Sequence, residues 1–81
     1  MIIVWDEPKR LANIDKHGID FADIGEAFFL SAIVRPAKDS RYAAIGYLDG
    51  AIVVIFVVLG GEGISIVSAR PASRRERSLL E

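Results

Sequence analysis

Nine consecutive apolar residues, Ala51-Ile-Val-Val-Ile-Phe-Val-Val-Leu59, stand between Asp49-Gly50 and Gly60-Gly61. β-Branched side chains are stiff at χ1 and suit a pleated surface, and the run is short and hemmed by turn residues, so it reads as a strand rather than a buried helix. Successive side chains of a strand point to opposite faces. Ile52, Val54, Phe56 and Val58 therefore share one face, and Ala51, Val53, Ile55, Val57 and Leu59 the other. Both faces are apolar and both need cover, which places this strand in the middle of a sheet.

The rest of the chain follows from that centre. Met1–Trp5 reads as a short strand. Asp6 is placed as an N-cap with Pro8 in the first turn, where a missing N–H costs nothing, and the helix runs to about His17 before Gly18 ends it in a left-handed cap. Leu11 and Ile14 are its thin apolar side; Lys9, Asn13, Lys16 and His17 fall on one polar face. Asp20 begins a second helix, Phe21–Leu30, whose phenylalanines recur at core-facing spacing. Ser31–Ser40 is open between strand and loop: Ala32–Arg35 could form a short strand that Pro36 ends or edges, and Lys38-Asp-Ser40 reads as loop. Arg41–Leu48 resumes a strand pattern, and Asp49-Gly50 is a two-residue hairpin signal joining it to the central run. Gly60-Gly-Glu-Gly63 turns the chain again into a strand over Ile64–Arg70. A last short helix starts either at Pro71 or with Ser73 as N-cap and Glu76 closing a capping box, and ends near Leu80. The order predicts one α+β domain: an antiparallel sheet, made of the N-terminal strand and a three-stranded meander, packed with two N-terminal helices and a short C-terminal one.

Composition narrows the function. The chain has 81 residues, no cysteine and a net charge of −1. It holds no disulfide and no thiolate metal site, and its single histidine has no second one to join it in binding a metal, so neither a metal nor a cofactor is expected. No signal peptide is visible at the start, and the longest apolar run falls far short of the roughly 20 residues of a spanning helix. A cytoplasmic protein without membrane contact is the expectation. Charge is unevenly spread: Asp20 to Glu26 is acidic, whereas Arg70 to Arg77 carries four arginines against Glu76. Such a basic patch can bind phosphate. Gly60-Gly-Glu-Gly63 lacks the lysine and helix of a phosphate loop.

Several blocks together resemble a known family. Trp5-Asp-Glu7, Lys9, Asn13, Lys16-His-Gly-Ile19 and Phe21 are similar to the opening of BrnT-type toxins of type II toxin–antitoxin systems. The likeness continues through Arg41-Tyr42, Ile45-Gly46, Ile64, Ile66, Ser68-Ala-Arg70, Ala72 and Arg75-Glu-Arg77. The resemblance implies a RelE-like fold, cleavage of RNA with inhibition of translation and growth, and neutralisation by a BrnA-like ribbon–helix–helix antitoxin, through which alone the complex would reach operator DNA. RNA cleavage of this kind needs a base for the 2′-OH, cations for the charge that builds on phosphorus, and an acid for the leaving 5′-oxygen. Imidazole suits proton exchange near neutrality, arginine binds phosphate by a bidentate fork and lysine as a point charge. Lys16, His17, Arg41 and Arg70 are the candidate catalytic residues, with Glu76 and Arg77 further out. Three of them have a plain structural alternative: Lys16 and His17 favour the negative end of the first helix, and Glu76 can cap the last one.

The chain also departs from the family pattern. Val57 and Leu59 stand where members commonly carry Thr and Arg, Ser65 stands where they carry Arg, and Leu79 and Leu80 occupy the region of a common Tyr. An apolar strip replaces polar groups on one sheet face. A second reading follows, a non-enzymatic antitoxin- or partner-binding protein of the same fold, with that strip open to a partner or to a second copy.

Overall fold

In a computed structural model, which describes residues 1–81, the central run is the fourth of five strands and lies between two others. The elements are β1 (Ile2–Trp5), α1 (Glu7–His17), a single 3-10 turn (Phe21–Asp23), α2 (Glu26–Ser31), β2 (Ile33–Pro36), β3 (Tyr42–Tyr47), β4 (Ala51–Leu59), β5 (Gly63–Pro71) and α3 (Arg74–Ser78). They form one sheet in the order β1-β5-β4-β3-β2. The three-stranded meander β3 to β5 is antiparallel, as the turns predict; β2 extends it antiparallel at the edge, and β1, expected in an antiparallel sheet, runs parallel to β5 with Ile3 beside Ile64. A parallel neighbour needs a long crossover rather than a hairpin, and everything from α1 to β4 supplies it.

The core lies between one sheet face and the helical segment that follows β1. Ile52, Val54 and Phe56 of β4 face Phe21, Ile24, Phe28 and Phe29, with Ile64, Ile66 and Ala69 of β5 beside them. The rings meet edge to face: Phe28 on Phe29 at 5.3 Å and Phe29 on Phe56 at 5.4 Å between centroids. Edge-to-face contact suits the ring quadrupole. Gly46 permits this closeness, because a Cβ there would stand 2.9 Å from Phe28. On the other sheet face Ile45 and Val53 are also fully covered, and α3 lies over that end, with Glu76 and Leu79 beside Ile45.

Local chemistry accounts for the helix ends. The Asp6 carboxylate accepts from the Lys9 N–H at 3.2 Å, and Gly18 closes α1 at φ +70°. Ser73 and Glu76 form the reciprocal capping box, which decides the start of α3 in favour of Ser73; Pro71 ends β5 instead. Three expectations are corrected. The continuous helix over Phe21–Leu30 is broken: the Asp20 carboxylate caps a 3-10 turn, and Ile24-Gly25 in extended backbone separates it from α2. Glycine without a side chain is a poor helix-interior residue, and Gly25 stands at the break as the N-cap of α2. The β3–β4 connection has three residues, with Tyr47 opposite Ala51 and the Leu48 N–H on the Gly50 carbonyl at 2.8 Å. Finally, Leu11 is exposed, and the buried residue of α1 is Asn13. Within the open segment Ser31–Ser40, Ile33–Pro36 forms the edge strand β2, and an edge tolerates a proline without an N–H.

Candidate active site

The site is built where β5 loses one neighbour and gains another. β1 accompanies β5 only as far as Ile66. Beyond that point α1 lies alongside, and Asn13 takes the place of a strand partner: its Oδ1 accepts from the Ala69 N–H at 3.0 Å while its Nδ2 donates to the Ile19 carbonyl at 2.9 Å. A buried amide that satisfies two backbone groups locks the end of α1 to the sheet. In the same stretch β5 carries a bulge. Register passes from Ile55–Ser68 to Phe56–Ile66, leaving Val67 unpaired. A bulge bends its strand and re-aims the neighbouring side chains.

Between α1 and the bulged strand runs a groove of about 390 Å³ that brings together Lys9, Lys16, His17, Ser68 and Arg70. No carboxylate lines it. The Arg70 guanidinium is held from α3 by a fork-to-fork pair, Nη1 to Glu76 Oε1 and Nη2 to Oε2, both at 2.8 Å. Glu76 Oε1 also accepts from the Ser73 N–H at 2.8 Å. Arg70 and this N–H together pull the Glu76 carboxyl down to about 2, and Glu76 in turn raises Arg70 above its ordinary value. At neutral pH Glu76 therefore has no proton to give, and its visible work is to aim Arg70 and to start α3.

Of the six candidates, Lys16, His17 and Arg70 come together in this groove, and Glu76 reaches it through Arg70. Arg77 lies across His17, in a neighbouring cavity that His17 also lines. Arg41 is apart: it precedes β3 in a loop closed by the Ala37 N–H on the Arg41 carbonyl, and it lines neither cavity. Lys9 and Ser68 belong to the groove and were not singled out as candidates by sequence reasoning. The stripe Lys9-Asn13-Lys16-His17 held the signal for Lys9. Read as a solvated face, it is in fact the wall of the groove.

A cationic groove that no carboxylate lines is chemically suited to a phosphate group. Residues 5–76 match the family described as ribonuclease toxin, BrnT, of type II toxin–antitoxin systems, and the chain belongs to that family. The 1.1 Å crystal structure of the Brucella abortus ribonuclease toxin BrnT superposes with a TM-score of 0.85 at 53% identity, over 91% of this chain and 99% of that one. No curated protein matches the sequence. Membership implies an antitoxin partner and an RNA target. No helix is long and apolar enough to cross a membrane.

Proposed function

We propose that this protein cleaves single-stranded RNA in the groove between α1 and β5, without a metal ion, so inhibiting translation until a BrnA-like ribbon–helix–helix antitoxin neutralises it. The observation that carries this reading is the meeting of Lys16, His17 and Arg70 in one carboxylate-free groove, although more than half the chain separates Arg70 from the other two. His17 takes the proton of the RNA 2′-OH. The 2′-oxygen attacks phosphorus, the bond from phosphorus to the 5′-oxygen breaks, and a 2′,3′-cyclic phosphate remains. Arg70 and Lys9 stabilise the charge that develops on the phosphoryl oxygens, and the Lys16 ammonium protonates the leaving 5′-oxygen. Glu76 is a positioning residue that keeps Arg70 in place. Arg77 and Arg41 lie outside the groove and contact the RNA beyond the scissile phosphate.

The test uses purified protein, RNA and a chelator. The expected result is fragments ending in a 2′,3′-cyclic phosphate, made about a hundredfold more slowly by His17→Ala, a loss typical of general acid–base catalysis. Intact RNA from well-folded protein would end the enzymatic reading.

One observation favours the second reading, a partner-binding protein without catalysis. Away from α3, the second sheet face is open and apolar: register places Val4, Ser65 and Val57 in one row, and Ile2, Gly63 and Leu59 in the next. Ile2, Val4 and Leu59 are all exposed. Capture of a BrnA-like antitoxin by a protein that leaves RNA intact would support this reading; a stable homodimer in light scattering would instead assign the strip to a second copy.

A further inference from the structure

His17 has a second side. Beyond it, away from the cationic groove, lies another cavity of about 410 Å³, between the turn after α1, the β3–β4 hairpin and the start of α3. Leu48, Ile52 and Pro71 give it apolar walls. Three carboxylates line it: Asp20, Asp23 and Asp49. Asp20 is already engaged, taking the Arg10 Nη1 on both oxygens at 3.0 and 3.1 Å and the Ala22 N–H at 2.9 Å. Asp23 and Asp49 are exposed and belong to no ion pair, Asp23 on the 3-10 turn and Asp49 at the hairpin tip. Arg77 completes the lining.

We propose that this cavity is a guanine-binding subsite, taking the base of the nucleotide whose phosphate occupies the cationic groove across His17. The inference rests on the ribonuclease reading for its context and on the cavity for its chemistry. A carboxylate is an acceptor with two oxygens side by side, and has no donor. Guanine alone among the four bases offers two adjacent donors on its Watson–Crick edge, N1–H and the N2 amino group. Adenine and cytosine set an acceptor next to their donor, and uracil flanks its single donor with acceptors. A carboxylate of Asp23 or Asp49 thus pairs with guanine through two bonds and meets an opposing lone pair on any other base.

The apolar walls suit a flat ring, in the way that unstacked bases of single-stranded RNA are received. The volume falls within the range of small-molecule pockets, roughly 300–1,000 Å³. Charge also sorts the two halves of the nucleotide. With three carboxylates against Arg77, the cavity favours a neutral base over a phosphate, whereas Lys9, Lys16 and Arg70 attract the phosphate on the far side of His17.

The experiment titrates the whole protein with 3′-GMP, 3′-AMP, 3′-CMP and 3′-UMP and follows amide resonances. The expected result is binding of 3′-GMP about tenfold tighter than the others, the low end of what a bidentate contact to a base discriminates. The shifted amides should include Gly18, Gly50 and Ala72. Asp23→Asn or Asp49→Asn, whichever residue makes the contact, should erase the preference for 3′-GMP, because an amide no longer offers two acceptors side by side, while the melting temperature stays unchanged. Equal affinity for all four nucleotides, shifts confined to other surfaces, or a guanine preference that survives both variants would overturn the proposal. So would displacement of 3′-GMP by an arginine-rich peptide binding more tightly at the same amides, which would assign the cavity to a basic protein partner. The titration needs no cleavage, so a protein that selects 3′-GMP yet leaves RNA whole would refute the ribonuclease reading alone.

Discussion

Asn13 and Arg70 each fasten a helix to β5, by opposite means. Asn13 is 6% exposed and neutral, and it spends both ends of its amide on backbone groups, the Ala69 N–H and the Ile19 carbonyl. The side chains of Arg70 and Glu76 are 39% and 26% exposed, and their bond is a charged pair at the mouth of the groove. A buried neutral group cannot leave without stranding its partners, since an unsatisfied buried polar atom costs its full desolvation. A half-exposed ion pair is weakly held, because water and salt already screen it, and a phosphate can offer the guanidinium the same fork-shaped contact. The molecule is thus rigid where it sets the groove wall and exchangeable where it meets substrate.

The largest expected effect lies on the rigid side. Asn13→Ala leaves the Ala69 N–H and the Ile19 carbonyl without partners and should lower stability by about 2–4 kcal/mol, taking each stranded group at the usual cost. Urea melts would check this, and a loss below that of the Arg70–Glu76 pair would break the comparison. Next comes the foundation of α3. Ser73→Ala removes the hydroxyl that accepts from the Glu76 N–H at 3.1 Å and should cost about 1 kcal/mol, as cap removal does. Amide exchange should quicken within α3 and stay unchanged in α1; equal change in both would deny that they are fastened separately.

The smallest effect belongs to the ion pair itself. At neutral pH Glu76→Gln should cost less than about 1 kcal/mol, since half-exposed pairs contribute little. Its pH dependence is sharper. The folded carboxyl is lowered from an ordinary 4.5 to about 2, so its contribution is complete above the ordinary value and fades as pH falls toward 2. Thermal melts of Glu76→Gln should show a flatter acid limb over that interval. Glu7 and Asp20, also lowered through their bonds with Arg10, keep some slope in the variant. An unchanged acid limb would mean that the pair is not formed in solution.

The fold was legible wherever one residue decides one local geometry. Asp6, Gly18, the Ser73–Glu76 box and the doubly apolar β4 all act within a few residues of themselves, and the predicted elements follow from them. Pairings across the chain were less so. Nothing near Met1 announces that β1 will lie parallel to β5, and the helical spacing of Phe21, Ile24, Phe28 and Phe29 hides the break at Ile24-Gly25. Of the site, residue types were readable but their distribution was not. Lys16 and Arg70 were chosen for charge, while the groove between them depends on β1 ending at Trp5 and on the bulge at Val67. Asn13 is the clearest case, since a polar residue on a polar stripe gives no hint that a strand neighbour is missing beside it.

The account stands on Arg70 acting in the groove rather than merely holding α3. Single-turnover cleavage of one RNA by the wild type, Arg70→Ala and Arg41→Ala measures this directly. Loss of a donor to the developing charge should slow Arg70→Ala by about 10²–10³-fold, with Arg41→Ala affected far less and both proteins folded. Cleavage by Arg70→Ala at the wild-type rate would contradict it.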